Sequence, residues 1–283
     1  MNSLFHNTSR PTSRWDGECS SLAPRMQTRN LAFWPWLGTA AAAGLHWPVR
    51  FEKPLVEGVL LRRYQRFLAD VRLNDGQEVV VHVPNSGRLT GVFHPGRRCW
   101  LLPTVSGKLR FRLEIVEVGS TLVGVNTQRA MRLAEEALTA NLLLLPGLER
   151  PFSVRREVVP AAGSRLDLQL VDNHGAFWVE VKNITMVCDG EALFPDAVTA
   201  RGSKHLRLLA ALAKAGERAG VVYVVQRTDS SRVRAAAEVD PDYARAAWEA
   251  AQAGVVFTAV EVAASVEELI PVRSLPVVVK PPG

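Results

Sequence analysis

The sequence predicts an all-β N-terminal domain followed by an α/β domain with a mixed sheet. Three observations predict it. Residues 55–125 read as short apolar runs separated by turn residues, with no helical period. Beyond about residue 120, helical patterns alternate with strands. The chain is 283 residues long with 47% hydrophobic residues, which suits two modest domains that each bury a real core.

The first 48 residues stand apart. Residues 2–29 are rich in Ser, Thr, Asn, Arg and Pro, carry no apolar period, and read as a poorly ordered extension. Residues 31–49 are apolar, with Phe33, Trp34, Trp36 and Trp47. They are interrupted by Pro35, Gly38, Gly44 and Pro48, and are marginal against the ~20 residues that a membrane span needs. No membrane association is expected. Cys19, Cys99 and Cys188 lie far apart without metal-ligand spacing, which suits a reducing, cytoplasmic location.

Residues 50–120 are expected to form a small barrel. The run from Leu55 to Leu73 is followed by Asn74-Asp75-Gly76, a tight-turn signal, and by a returning strand at 78–83. Pro84, Gly87 and Gly91 mark a loop; strands follow at 99–103 and 108–118, with a further pairing at 122–125. About five short strands of this kind suit a closed OB-fold, and an SH3-like barrel gives the same string. Arg62, Arg63, Arg66, Arg88, Arg97, Arg98, Lys108, Arg110 and Arg112 are interleaved with Tyr64, Phe67, Phe93 and Trp100. Basic and aromatic residues on a barrel face suit nucleic acid, and the net charge of +6 points the same way.

Residues 121–283 carry the α/β pattern. A helix is expected over 126–145, capped by Thr127 and ended by Pro146-Gly147. Strands follow near 154–159, 164–171 and 176–185, then a helix over 198–215, a buried strand at 220–226, a helix over 242–253 and a last core strand at 255–262.

The chemistry sits on two alternating segments. In Arg165-Leu166-Asp167-Leu168-Gln169-Leu170 the leucines share one face, and in Phe177-Trp178-Val179-Glu180-Val181-Lys182 the charged residues share one face. Between them lies Asp172-Asn173-His174-Gly175, good turn chemistry. With Asn173 and His174 as the loop, Asp167 falls opposite Glu180, and Arg165 opposite Lys182. Like charges directly opposed destabilise a sheet, unless a divalent cation bridges them. Mg²⁺ or Mn²⁺ suits such a pair of carboxylates together with phosphate oxygens. Lys182 is within reach to stabilise phosphoryl charge, so Asp167, Glu180 and Lys182 form a candidate phosphodiester-hydrolysing group, and Glu157 could complete the acidic cluster. A salt-bridged solvent face is the plain alternative. On the helix after Pro195, capped by Asp196 or Thr199, Arg201, Lys204 and His205 cluster near the N-terminal end and suit a phosphate.

Six blocks in order resemble the sugar fermentation stimulation protein A family. They are Arg63-Tyr64-Gln65-Arg66-Phe67-Leu68-Ala69-Asp70-Val71, Pro84-Asn85-Ser86-Gly87-Arg88-Leu89-Thr90-Gly91, Val125-Asn126-Thr127, Ser164-Arg165-Leu166-Asp167, Val179-Glu180-Val181-Lys182-Asn183-Ile184-Thr185, and the stretch from Phe194 through Leu206. The resemblance implies an OB-fold followed by a PD-(D/E)xK nuclease-like domain. It implies metal-binding acids at Asp167 and Glu180 and a catalytic lysine at Lys182. It also implies sequence-non-specific DNA binding, for which Arg66, Arg88, Arg165, Arg201, Lys204 and His205 are the candidate contacts, and a regulatory role in maltose or sugar utilisation.

Overall fold

The computed structural model describes residues 48–281, apart from 106 and 161–163. The expectations placed on residues 1–47 lie outside the described residues. The chain enters through β1 (Val49–Arg50) and then forms β2 (Val56–Tyr64), β3 (Leu68–Leu73), β4 (Glu78–His82), β5 (Arg98–Pro103), β6 (Phe111–Val118) and β7 (Thr121–Gly124). The order is β4-β3-β2-β5-β6-β7, and a parallel pairing of His82 with Arg112 joins β4 to β6. That pairing closes five strands into the expected barrel, with β7 sharing the β6 edge. The Asp-Gly turn forms as predicted: Gly76 has φ +85°, and the Gln77 amide donates to Asp75 at 2.9 Å. Leu60, Val71, Val81, Leu101, Leu113 and Val123 fill the interior.

The second domain follows a 3-10 turn at Thr127–Arg129 and comprises α1 (Ala130–Thr139), β8 (Ser153–Val158), β9 (Leu166–Asp172), β10 (Gly175–Ile184), β11 (Met186–Cys188), β12 (Glu191–Phe194), α2 (Ala200–Lys214), β13 (Arg218–Val225), β14 (Arg232–Ala235), α3 (Pro241–Gln252), β15 (Val256–Ala264), β16 (Glu268–Leu275) and β17 (Val277–Val278). A seven-stranded mixed sheet runs β1-β16-β15-β13-β10-β9-β8, parallel at its centre and antiparallel at its flanks. Helix α1 packs on one face with Val179, Val222 and Val224. Helices α2 and α3 cover the other face with Val221, Tyr223 and Val225. β13 is therefore apolar on both sides, as a central parallel strand must be. A small sheet, β11-β12-β14-β17, flanks it.

Several boundaries differ from expectation, each for a physical reason. β1 pairs with β16, so residues 49–50 belong to the second domain's sheet rather than to the barrel. β7 carries the barrel to Gly124, past the boundary near 120, because it pairs along β6. Asn126, not Thr127, caps the 3-10 turn, accepting from the Gln128 amide at 3.0 Å. The first helix stops at Thr139 because Asn141 adopts φ +62°. Among the described residues no helix is long and apolar enough to cross a membrane.

Asp196 does not cap α2; Thr199 does, accepting from the Gly202 amide at 3.1 Å. Asp196 instead reaches the barrel loop and accepts from the Leu89 amide at 2.8 Å. A Cβ at Gly87 would collide with this carboxylate, so the domains dock backbone to side chain here. Burial raises the Asp196 carboxyl above its ordinary value, outweighing the Leu89 amide and the Arg63 charge. A carboxyl raised on folding contributes stability below its unfolded pKa, about 4, and loses it as pH rises through the folded value. Asp196→Asn keeps the acceptor and removes that loss. The variant is expected to gain on the wild type in thermal unfolding as pH rises from 4 to 7; a pH-independent difference would contradict the assignment.

Candidate metal and nucleic-acid site

The β9–β10 hairpin has the predicted register. Gly175 pairs with Asp172, and the ladder runs to Val179 opposite Leu168. The turn is held by Asp172, which accepts from the His174 amide at 2.8 Å. The ladder then stops, one step before the acids. There Asp167 uses its side chain instead, accepting from the Val181 amide at 2.8 Å. Strict alternation breaks at the same place: Leu168 and Leu170 pack with α1, while Leu166 packs with the α2 and α3 cluster.

Glu180 is 2% exposed and lies on the face covered by α2. Lys182 Nζ donates to Glu180 Oε1 at 2.5 Å. The His205 Nδ1 atom, from α2, meets the same oxygen. Glu180 Oε2 is buried and has no hydrogen-bond partner among the described residues. One oxygen of a buried carboxylate is thus doubly held and the other is left for water or an ion to satisfy. The two acids are electrostatically split. Burial raises the Asp167 carboxyl, and the Glu180 charge raises it further. Burial also acts to raise Glu180, but the His205 hydrogen bond and the Lys182 charge outweigh it and hold it below its ordinary value. Opposed shifts in neighbouring acids are the pattern by which sites separate acid and base roles, and ion-pair networks produce them too.

Next to this pair is a cavity of about 460 Å³ lined by Ser164, Arg165, Ala200, Arg201, Lys204 and His205. Arg201 and Lys204 are exposed and enter no ion pair among the described residues. His205 is only 3% exposed, so it is a link between cavity and acid pair rather than a surface cation. Arg165 precedes β9 and does not pair opposite Lys182; its guanidinium meets Glu157 at 3.5 Å. Glu157 has φ +53° and an exposed carboxylate, so it does not complete the acidic cluster. Among the described residues, no group of three or more His, Cys, Asp or Glu is placed to hold a metal. Two carboxylates remain, which fits a hard cation that takes its other ligands from water and phosphate. Arg66 and Arg88 sit apart, exposed on the barrel.

The sequence reading missed the His205–Glu180 contact, because nothing local joins residues 25 apart. It also missed Gln226. The Gln226 Nε2 donates to Asn183 Oδ1 at 2.5 Å and to the Asn126 carbonyl at 3.1 Å, tying the strand after Lys182 to the barrel exit. A glutamine ending the apolar run of β13 was the available signal.

An OB-type barrel joined to a mixed-sheet α/β domain, with a buried glutamate beside a half-buried aspartate and a lysine at the end of a β-ribbon, defines the class of molecule. The chain belongs to the sugar fermentation stimulation protein family. Residues 61–125 match the SfsA N-terminal OB domain, and residues 128–268 match the sugar fermentation stimulation protein RE domain. A sugar fermentation stimulation protein homolog of Citrifermentans bemidjiense is 44% identical over 81% of this chain and 99% of its own length. The homolog of Paramagnetospirillum magneticum is 46% identical over 73% of this chain and 88% of its own. Among solved structures, Pyrococcus furiosus SfsA in complex with Ca²⁺ superposes with a TM-score of 0.75 at 28% identity, covering 82% of this chain and 99% of that one.

Proposed function

We propose that this chain is a cytoplasmic DNA-binding protein whose Asp167, Glu180 and Lys182 form a Mg²⁺- or Mn²⁺-dependent site for phosphodiester hydrolysis. The observation that carries this reading is the unpartnered, buried Oε2 of Glu180 beside Asp167. The similar Pyrococcus furiosus protein is described in complex with Ca²⁺, a hard cation of the same kind. A divalent cation bound by Asp167 and Glu180 would supply Lewis-acid stabilisation to a phosphoryl oxygen. The chain's own groups do the rest. Asp167 is oriented by the Val181 amide. Lys182 and His205 hold Oε1 of the Glu180 carboxylate, so that Oε2 would be the oxygen left to hold the cation. Arg165, Arg201 and Lys204 line the cavity where a neighbouring phosphate is drawn in.

Supercoiled plasmid incubated with the protein and Mn²⁺ tests the proposal, which predicts nicked product that EDTA abolishes. DNA binding has its own check. Arg201→Ala/Lys204→Ala should lower affinity across unrelated sequences and flatten the log–log salt dependence by about two units, close to one for each phosphate no longer neutralised. An unchanged slope in an anisotropy titration would remove the cavity from the DNA path. A second reading, a non-catalytic DNA-binding regulator of sugar or maltose utilisation, is favoured by one observation: among the described residues no group of three or more His, Cys, Asp or Glu is placed to hold a metal. It predicts salt-sensitive binding without nicking at any metal concentration.

A further inference from the structure

The turn between β2 and β3 is strained in a way that exposes an aromatic ring. Gln65 and Arg66 have φ +47° and +64°, the left-handed region that residues other than glycine avoid. Glycine would relieve the strain, yet both positions carry long side chains. The geometry is imposed by Arg63. Its guanidinium donates to the Arg66 carbonyl at 2.9 and 2.6 Å, to the Asn85 carbonyl at 2.7 Å and to the Arg88 carbonyl at 2.9 Å. One side chain therefore locks the turn and the neighbouring loop into a single unit.

What this unit presents is Phe67, 43% exposed and leaning on His82, with ring centroids 6.5 Å apart and planes at 33°. Among the described residues it is the one exposed Phe, Tyr or Trp. Of the other barrel aromatics, Tyr64 and Phe93 are half-buried and Trp100 is buried. Arg66 and Arg88 are exposed beside it and enter no ion pair among the described residues. The unit is also docked on the segment that leads into the helix carrying the cavity's cations. Its loop docks on Asp196, three residues before Thr199, the cap of the helix that brings Arg201 and Lys204 to the cavity.

We propose that Phe67 is a stacking site for an unpaired base of single-stranded DNA, with Arg66 and Arg88 holding the flanking phosphates. A ring that is 43% exposed and tilted against His82 offers aromatic surface to solvent, and every nucleobase offers a π-face to match it. Bases inside a duplex have both faces covered by their neighbours, so the site selects unpaired strands. The proposal rests on the DNA-binding reading above and adds strandedness to it.

The test is anisotropy at low salt with a 2-aminopurine-labelled single strand and with its duplex, comparing wild type, Phe67→Leu and Phe67→Trp. Phe67→Leu, which keeps apolar bulk without an aromatic face, should weaken single-strand binding about tenfold relative to duplex. It should also lose the stacking quench of 2-aminopurine, and Phe67→Trp should restore both. Equal single-strand affinity and equal quenching in wild type and Phe67→Leu would overturn the stacking site while leaving DNA binding standing. A wild type that binds neither DNA form would overturn the DNA reading itself. A Phe67→Leu protein that changes only its sedimentation would mark the ring as a contact between copies of this chain and would overturn the proposal. Thermal unfolding of each variant checks that the exposed substitution leaves the fold intact.

Discussion

Glu180→Gln is expected to lower Mn²⁺-dependent nicking by about a hundredfold or more, the scale of losing one preorganised charge interaction at a reacting centre. The same change is expected to destabilise the protein. Lys182 and His205 both converge on this carboxylate, and Lys182 is 13% exposed. Removing the charge from a buried pair leaves the partner uncompensated, at a cost of about 3 kcal/mol. Asp167→Asn makes the informative contrast. Asparagine keeps an acceptor for the Val181 amide and removes the charge that burial, and then the Glu180 repulsion, disfavour in the aspartate. Without metal, Asp167→Asn should therefore be more stable than the wild type while also losing nicking. The pH dependences run in opposite directions. Glu180 is depressed, so its contribution is present above the unfolded pKa and is lost as pH falls through the folded value. Asp167 is raised, so its contribution is lost as pH climbs through the folded value. Mn²⁺ should stabilise the wild type in proportion to RT ln(1 + [L]/Kd), and neither variant to the same degree. Thermal unfolding with and without Mn²⁺, beside the plasmid assay, reads all of this. Full nicking by both variants would remove Asp167 and Glu180 from the mechanism.

The hairpin that joins the two acids could be read from four residues. Asp172-Asn173-His174-Gly175 specifies a tight turn, the turn fixes the register, and the register brings Asp167 to Glu180. The same reasoning serves for Asp75-Gly76 between β3 and β4. It fails where tertiary packing overrides local pattern. The ladder ends at Leu168, so Arg165 does not face Lys182, and Glu157, at a positive φ on a strand that stays paired with β9, carries an exposed carboxylate that meets Arg165. His205 reads as one more cation on a basic helix end, yet packing of α2 on the sheet buries it against Glu180. β1 and the strands β11, β12, β14, β16 and β17 were not legible because they are short, mixed in character or, in β16, interrupted by Pro271 at a register shift. Such segments become strands only when a neighbour already offers an edge.

Glu114→Gln is the substitution expected to cost the fold most. Glu114 lies on β6, in the barrel wall, and is 1% exposed. Its two oxygens accept from Arg112 Nε at 2.8 Å, from Asn126 Nδ2 at 3.1 Å, and from Arg129 Nε and Nη2 at 2.9 and 3.1 Å. Arg129, 7% exposed, opens α1 of the second domain, lies 4.9 Å over the Phe51 ring and also pairs with Glu52. A single carboxylate thus joins the barrel wall, the cap of the connecting turn and the first helix of the α/β domain. Removing its charge leaves Arg129 buried with only the exposed Glu52 as anion, and the expected loss is about 3–5 kcal/mol. Because these hydrogen bonds cross the domain seam, cooperativity should suffer as well. Urea unfolding should separate into two steps, the fluorescence of Trp100 in the barrel, followed in a background with every other tryptophan, Trp178 and Trp248 included, changed to Phe, no longer coinciding with the far-UV signal of the helices. Glu78→Gln provides the calibration: its partner Arg72 is 55% exposed, and breaking that surface pair should move stability by no more than about 0.5 kcal/mol. A Glu114→Gln midpoint as close to wild type as that of Glu78→Gln would show that the seam is held by its apolar packing, with the buried ion network merely tolerated.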